Sequence, residues 1–275
     1  MAVSDAPPAR SVVWHFAGLK LRILGNGFRG RPARVALFVL GILAALYLAA
    51  VGFLGFAASA AGDADVRLMV AAYGGALLVL GSVLLPLIWF GVDDSLDPAR
   101  MALLPLSRRE LVAGLLIGAL LGVPAMGLLA ATAGLLVPAF RHGGVAAGAA
   151  QAVGLLAGLL VCVAAARAVT SAFATMLRSR RVRDLAGILL ATVAALIAPL
   201  QLAVISAAQN ADWDRLTAVA RVIGWTPLGA PYTIGYDVTE GAPLAAAGKL
   251  LITLATLAAL LWWWSRSLES AMVGA

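Results

Sequence analysis

Six stretches of the chain, each 24–30 residues long, carry almost no charge, and they decide what it can fold into. Residues 35–62, 68–92, 111–140, 143–166 and 185–211 contain no Asp, Glu, Lys, Arg or His. Residues 241–265 contain one, Lys249, close enough to an end of the run to snorkel. About 20 apolar residues in a helix cover roughly 30 Å of hydrocarbon, so each run is long enough to cross a bilayer. The short alternating segments of a barrel are absent, and in lipid a helix satisfies its own backbone. The expected fold is therefore an all-α integral membrane protein with six transmembrane helices, over about 35–60, 68–92, 111–138, 145–173, 185–208 and 243–264. Composition agrees. Of 275 residues 63% are hydrophobic and 12% charged, where a soluble domain has about one-quarter charged. A cytosolic enzyme and a disulfide-stapled secreted domain are excluded, and the one cysteine, Cys162, lies in an apolar run.

The net charge of +7 would raise nucleic acid as a partner in a soluble protein, but here its placement is topological. Arg10, Lys20, Arg22, Arg29, Arg31 and Arg34 precede the first span. Arg100, Arg108 and Arg109 lie between spans two and three, Arg178, Arg180, Arg181 and Arg183 between four and five, and Arg266 after six. The opposite loops hold Arg67, Arg141, Arg215, Arg221 and Lys249. Fourteen against five puts both termini in the cytoplasm, so residues 1–34 and 265–275 are expected as cytoplasmic segments flanking one domain over 35–264. No nucleic-acid partner is expected; the bilayer is. Ala58-Ser59-Ala60 resembles a signal-peptidase site, but the preceding basic segment and the apolar run are both too long for a signal peptide.

The spans hold no acidic residue, which disfavours an ion-coupled carrier. No His-Glu-x-x-His, Gly-x-Ser-x-Gly or Walker A motif occurs, so no catalytic or metal-ligating set is expected. If ATP drives this protein, another chain binds it.

More is written at the membrane surfaces. Residues 11–28 place Val12, Val13, Phe16, Leu19 and Ile23 at helical spacing beside Lys20 and Arg22, an interfacial amphipathic helix. Between spans two and three, Asp97 followed by Pro98 reads as an N-cap with proline at the first helical position, and Pro105 ends that short helix. Ser107-Arg108-Arg109-Glu110 is a capping box opening span three. The loop 178–184 is short and basic, an anchor on anionic lipid or a second contact for a partner. The outer loop, about 209–239, offers Asn210 or Asp212 as a cap for an amphipathic helix through Leu216, Val219, Val222 and Ile223. Trp213, Trp225, Tyr232 and Tyr236 read there as interfacial aromatics, on one or two short outer helices that form either a re-entrant plug or a surface lid. Gly114, Gly118 and Gly122, with Gly154 and Gly158, allow close helix approach, within the chain or at a dimer seam.

This order of elements resembles the membrane subunit of type-2 ABC transporters, the ABC exporter permeases. The likeness runs over the whole chain and includes the loop through Asp97-Pro98 and Leu104-Pro105-Leu106-Ser107-Arg108-Arg109-Glu110, then Trp225-Thr226-Pro227-Leu228-Gly229 and Trp262-Trp263-Trp264-Ser265-Arg266. The resemblance implies that two six-span domains pair and that each docks a separate cytoplasmic ATPase, which carries the ATP and magnesium. Contact would fall on a coupling helix after span two: Asp97, Pro98, Arg100, Pro105, Ser107, Arg108, Arg109 and Glu110, with Arg178, Arg180, Arg181 and Arg183 as the second loop. Similar permeases often hold both halves in one chain, about twice this length, so a dimer with itself or with a sister permease is expected, in a bacterial inner membrane. The rival reading is a membrane scaffold or assembly factor that recruits a soluble partner through the same basic loops without transporting anything.

Overall fold

The structure, a computed structural model, describes residues 32–88, 108–176 and 212–273, with Gly18, Arg22 and Gly25 as isolated positions before them. The expected interfacial helix over 11–28, the span over 185–208 and most of both basic loops lie outside the described residues. All regular structure among the described residues is helical. Four helical segments are long and apolar enough to cross a membrane: Val35–Ala61, Ala64–Leu84, Val123–Ser171 and Pro243–Ser267. The protein is an α-helical, multi-pass membrane protein.

Helix α1 (Pro32–Ala58) runs into a 3-10 turn, Ser59–Ala61, and α2 (Ala64–Ile88) leads back. Ser59 Oγ donates to Phe56 O (2.6 Å), and Asp63 Oδ1 accepts from Val66 N (2.9 Å), so a serine closes one helix and an aspartate caps the next. Because α2 starts at Ala64, Asp65 and Arg67 belong to its first turn rather than to a loop before it.

The third expected span is broken in two. α3 (Arg108–Leu120) and α4 (Val123–Thr132) meet at Gly122, which is extended (φ −76°, ψ 150°), and Pro124 suits the new first turn because a proline there loses no helical hydrogen bond. A 3-10 turn, Ala133–Leu135, then leads into α5 (Leu136–Met176).

The 49 residues of Val123–Ser171 would measure about 74 Å as a straight helix, more than twice the hydrocarbon thickness. They do not run straight. Gly144 has φ 66° and ψ −159°, a backbone region open essentially to glycine alone, and the chain reverses there. Phe140 lies against Gly148, and Ala125 packs with Leu159 and Val163, residues placed almost symmetrically about Gly144. The segment is a helical hairpin that folds back on itself at Gly144.

Helix α6 (Trp213–Gly224) is capped by Asp212, whose Oδ1 accepts from Arg215 N (3.3 Å), with Asp214 in its first turn and Arg221 in its last, each favourable to the helix dipole. Its apolar face, Leu216, Ala220 and Ile223, packs on Leu68, Met69 and Ala72 of α2. A turn through Trp225 and Thr226 leads to α7 (Ala230–Thr239), and Gly241 (φ 72°) leads to α8 (Pro243–Val273).

Two faces follow. The turns around 59–63, 141–144 and 240–242 share one, the turn face, where His142 Nε2 donates to Ala60 O (2.9 Å) and Arg67 donates to Glu240 (3.2 Å). At the other end Trp264 of α8, Ala168 of α5 and Leu115 of α3 form one buried cluster. α5 beyond Gly144 and α8 therefore run parallel. Ile88, Arg108 and Met176 all point the chain to the face opposite the turns, and Arg221 of α6 lies 3.8 Å from Asp65 near the turn face.

Candidate functional site

Helix α7 decides against the surface-lid reading of the outer loop. Pro231, Tyr232, Thr233, Ile234, Gly235 and Asp237 are all buried, so this helix is not a surface element of an outer loop but a wedge inside the bundle. Glycines make room for it. The Tyr232 ring lies on Gly75 of α2, and the Pro231 carbonyl lies on Gly154 of α5, at both of which a Cβ would collide. Pro231 and Tyr232 also cover Gly158. In a membrane, where lipid tails are as apolar as leucine, such close backbone approach drives helix association through van der Waals contact. Gly154 and Gly158 thus serve packing within the chain.

Polar groups fix the wedge. Gln151 of α5 is 2% exposed; its Oε1 accepts from Gly235 N (2.8 Å) and its Nε2 donates to Pro231 O (3.4 Å). Those two backbone groups are four residues apart, so one side-chain amide grips a full turn of α7. The Tyr232 hydroxyl lies 3.4 Å from Cys162 Sγ, which accounts for the single cysteine as a buried partner of α7.

The charged centre is Asp237 and Lys249. Lys249 Nζ is 2.8 Å from Asp237 Oδ1 and 2.7 Å from Oδ2, with side chains 4% and 10% exposed. The ammonium lies 5.6 Å from the centre of the Trp225 ring, which itself rests on Gly248. Thr253 Oγ1 donates to Lys249 O (2.8 Å) in the same turn of α8. Burial pushes the Asp237 carboxyl above its ordinary 3.8, and the Lys249 contact pulls it back only in part. Lys249 therefore does not snorkel. Six residues into α8, about 9 Å along the helix, its ammonium is buried against the Asp237 carboxylate.

Three expectations are corrected here. Tyr232 is core, 1% exposed, rather than an interfacial aromatic. A buried carboxylate does exist, because Asp237 sits in the segment assigned to the outer loop. The outer helices are unequal, since α6 lies on the surface with Trp213 exposed while α7 is enclosed. Asp237, Lys249 and Gln151 are the residues sequence reasoning missed as a site. The one signal for them was the pairing of a lone lysine in an apolar run with an acidic residue twelve positions before it.

Of the residues expected to contact an ATPase, Asp97, Pro98, Arg100, Pro105 and Ser107 lie outside the described residues, as do Arg178, Arg180, Arg181 and Arg183. Arg108, Arg109 and Glu110 open α3. Among the described residues no three His, Cys, Asp or Glu side chains gather as a metal site.

No protein-family model matches the chain, and no curated protein or solved structure matches it.

Proposed function

We propose that the chain is the membrane permease subunit of an ATP-driven ABC transporter, an exporter, acting as a pair of permease domains on separate cytoplasmic ATPases. The observation that carries the reading is where chain and charge meet. Helix α2 ends and α3 begins on the face opposite the turns, the side on which the two helix ends flanking residues 89–107 stand. Arg34, Arg108, Arg109 and Arg266 belong to the same face, which the positive-inside rule makes cytoplasmic. A partner docking between spans two and three would push directly on the first turn of α3.

The crossing count supports six spans. Met176 ends α5 on the face opposite the turns, and α6 packs on the start of α2 with Arg221 3.8 Å from Asp65, an arrangement that one more crossing between the two helices would fit. The uncharged run 185–211 supplies one crossing. With α1, α2, the two arms of the Gly144 hairpin and α8, both ends of the chain then fall in the cytoplasm.

The Asp237–Lys249 pair supports an external energy source rather than an ion gradient. A coupling carboxylate must exchange its proton or ion in each cycle, whereas this one is closed off by a lysine and by the wedge that carries it. The pair is a latch.

The test is to capture the full chain from its native membrane in mild detergent and identify what accompanies it. A Walker-motif ATPase is expected, and replacing Arg108, Arg109 and Glu110 together by Ala should lower its retention or uncouple its ATP hydrolysis from transport. Capture of a soluble partner without a nucleotide-binding motif would favour the scaffold instead. Unchanged retention and coupling in the triple variant would remove this loop from the interface.

A further inference from the structure

Helix α1 is packed along one side only. Gly52 meets Ala131, Gly127 approaches the Ala45 carbonyl, and Gly134 closes on the Phe53 carbonyl and on Phe56, with Ala49 buried in the same row. At about 100° per residue, Tyr47 stands opposite that row. Ala36, Leu40, Leu43, Tyr47, Ala50 and Leu54 lie along the free side at alternating four- and three-residue spacing, and every one of them is exposed. An exposed leucine is at home in lipid, but a tyrosine hydroxyl is not. Tyr47 is the only polar side chain between Arg34 and Ser59. It is 69% exposed, and its hydroxyl has no hydrogen-bond partner among the described residues. Tyrosine favours the membrane interface, yet Val35 lies about 18 Å before Tyr47 along the helix and Ala61 about 21 Å after it. The hydroxyl therefore stands near mid-bilayer, where no water satisfies it and an unpaired donor is costly.

We propose that the Tyr47 face of α1 is the surface on which two copies of the chain pair, their Tyr47 hydroxyls bonded to each other across a two-fold axis along the membrane normal. Symmetry selects a second copy. Copies inserted in one orientation hold equivalent residues at one depth, so a two-fold contact brings Tyr47 to Tyr47. A phenol both donates and accepts, which makes that contact self-complementary. Ala36 and Ala50 flank it with small side chains that let the two backbones approach. The other polar candidate in the chain is Gln201, near the middle of the uncharged run 185–211. That run leads to α6, which lies along Leu68, Met69 and Ala72 of α2, whereas α1 meets α2 through Phe56 on Gly74, nearly the opposite face of the helix. Helix α2 thus separates α1 from the helix that the run enters. The inference rests on the paired permease domains proposed above and names the surface that joins them.

The experiment uses the full Cys162→Ser chain in native membranes, with single cysteines along α1 and copper phenanthroline as the oxidant. Leu40→Cys and Leu54→Cys are expected to link one copy to the other. Leu46→Cys and Leu48→Cys, equally exposed but about 100° to either side of Tyr47, should stay unlinked over the same time. In liposomes of falling protein density, Tyr47→Phe should raise the density at which half the chains are single by about threefold, the effect of one interhelical hydrogen bond in a membrane. Leu48→Ala should leave that density unchanged. Equal linking at all four positions marks chance collision and overturns the surface, as does a Tyr47→Phe pair as tight as the wild type. Linking of Tyr47→Cys to Gln201→Cys within one chain gives the face to the run 185–211 and overturns it too. A dimer that persists in native mass spectrometry without links at positions 40 and 54 overturns this surface and leaves the paired reading standing, whereas chains that are single at every density overturn both.

Discussion

Lys249 and Asp237 show what a single side chain must find when it is carried below the membrane surface. An ion taken from water loses several kcal/mol of solvation, which only close pairing and good geometry offset. Removing one partner leaves the other charged and buried. Asp237→Asn and Lys249→Met are each expected to lower the free energy of unfolding by about 3–5 kcal/mol, whereas the double variant should stay near the wild type or exceed it. Equilibrium unfolding in detergent measures all three, and single-variant costs that simply add would mean that the pair is not coupled. The sign with pH can be worked out as well. A carboxyl whose folded-state pKa lies above 3.8 favours the folded state fully below its unfolded value, and that contribution is lost as pH rises through the raised one. Without Lys249 the carboxyl rises further, so the cost of Lys249→Met should shrink on acidification. A cost that is flat or that grows toward low pH would assign the loss to packing instead. Gln151 poses the same problem without charge. Gln151→Leu leaves Gly235 N and Pro231 O without their side-chain partner and is expected to cost about 1–3 kcal/mol in the same assay.

The element that these residues hold is α7, and its seat depends on atoms that are missing elsewhere. Gly154→Val would drive a branched side chain into the Pro231 carbonyl, at an expected cost of about 1–3 kcal/mol. Gly55→Ala in α1, where a Cβ meets nothing within 4 Å, should instead stabilise by about 0.5–1 kcal/mol through helix propensity. Thermal unfolding of the two variants side by side tests whether close packing against α7, rather than glycine in general, is what α5 needs. The contrast also marks how far the sequence could be read. Helix α6 is legible because its signals are local: Asp212 as cap, Asp214 and Arg221 at its ends, and Leu216, Ala220 and Ile223 on one face. The reversal at Gly144 is legible because Arg141 and His142 interrupt the apolar run beside a pair of glycines. Helix α7 is short, mixed in polarity and flanked by breakers, the composition of a loop. What buries it lies on α2 and α5, about 160 and 80 residues away in the chain, and periodicity carries no information about such partners. The break at Gly122 was present as Pro124, yet a membrane helix often tolerates proline, so hydropathy alone runs straight through it.

At the scale of the whole molecule, the long apolar helices among the described residues were readable and the way they pack was not. Hydropathy finds apolar runs whatever lies between them, and arginine counts orient them. The buried ion pair escaped because one of its members, Asp237, stands outside every run. Orientation is open to direct test at positions on either face. In a Cys162→Ser background, single cysteines replace Asp63 and Arg141 on the turn face and Arg109 and Glu269 at the other end of the bundle. If fourteen cytoplasmic cations hold the chain in place, a membrane-impermeant maleimide on intact cells should label positions 63 and 141 at once and 109 and 269 only after permeabilisation. The reverse pattern would invert the molecule. It would put α6 and the Asp237–Lys249 latch in the cytoplasm and turn the loop between α2 and α3 away from any ATPase. Labelling of all four from outside would break the parity on which six spans rest, since Arg109 and Asp63 are joined by α2, which crosses once. The orientation thus bears on the functional reading of the chain, because an ATPase can meet α3 from the cytoplasmic side alone.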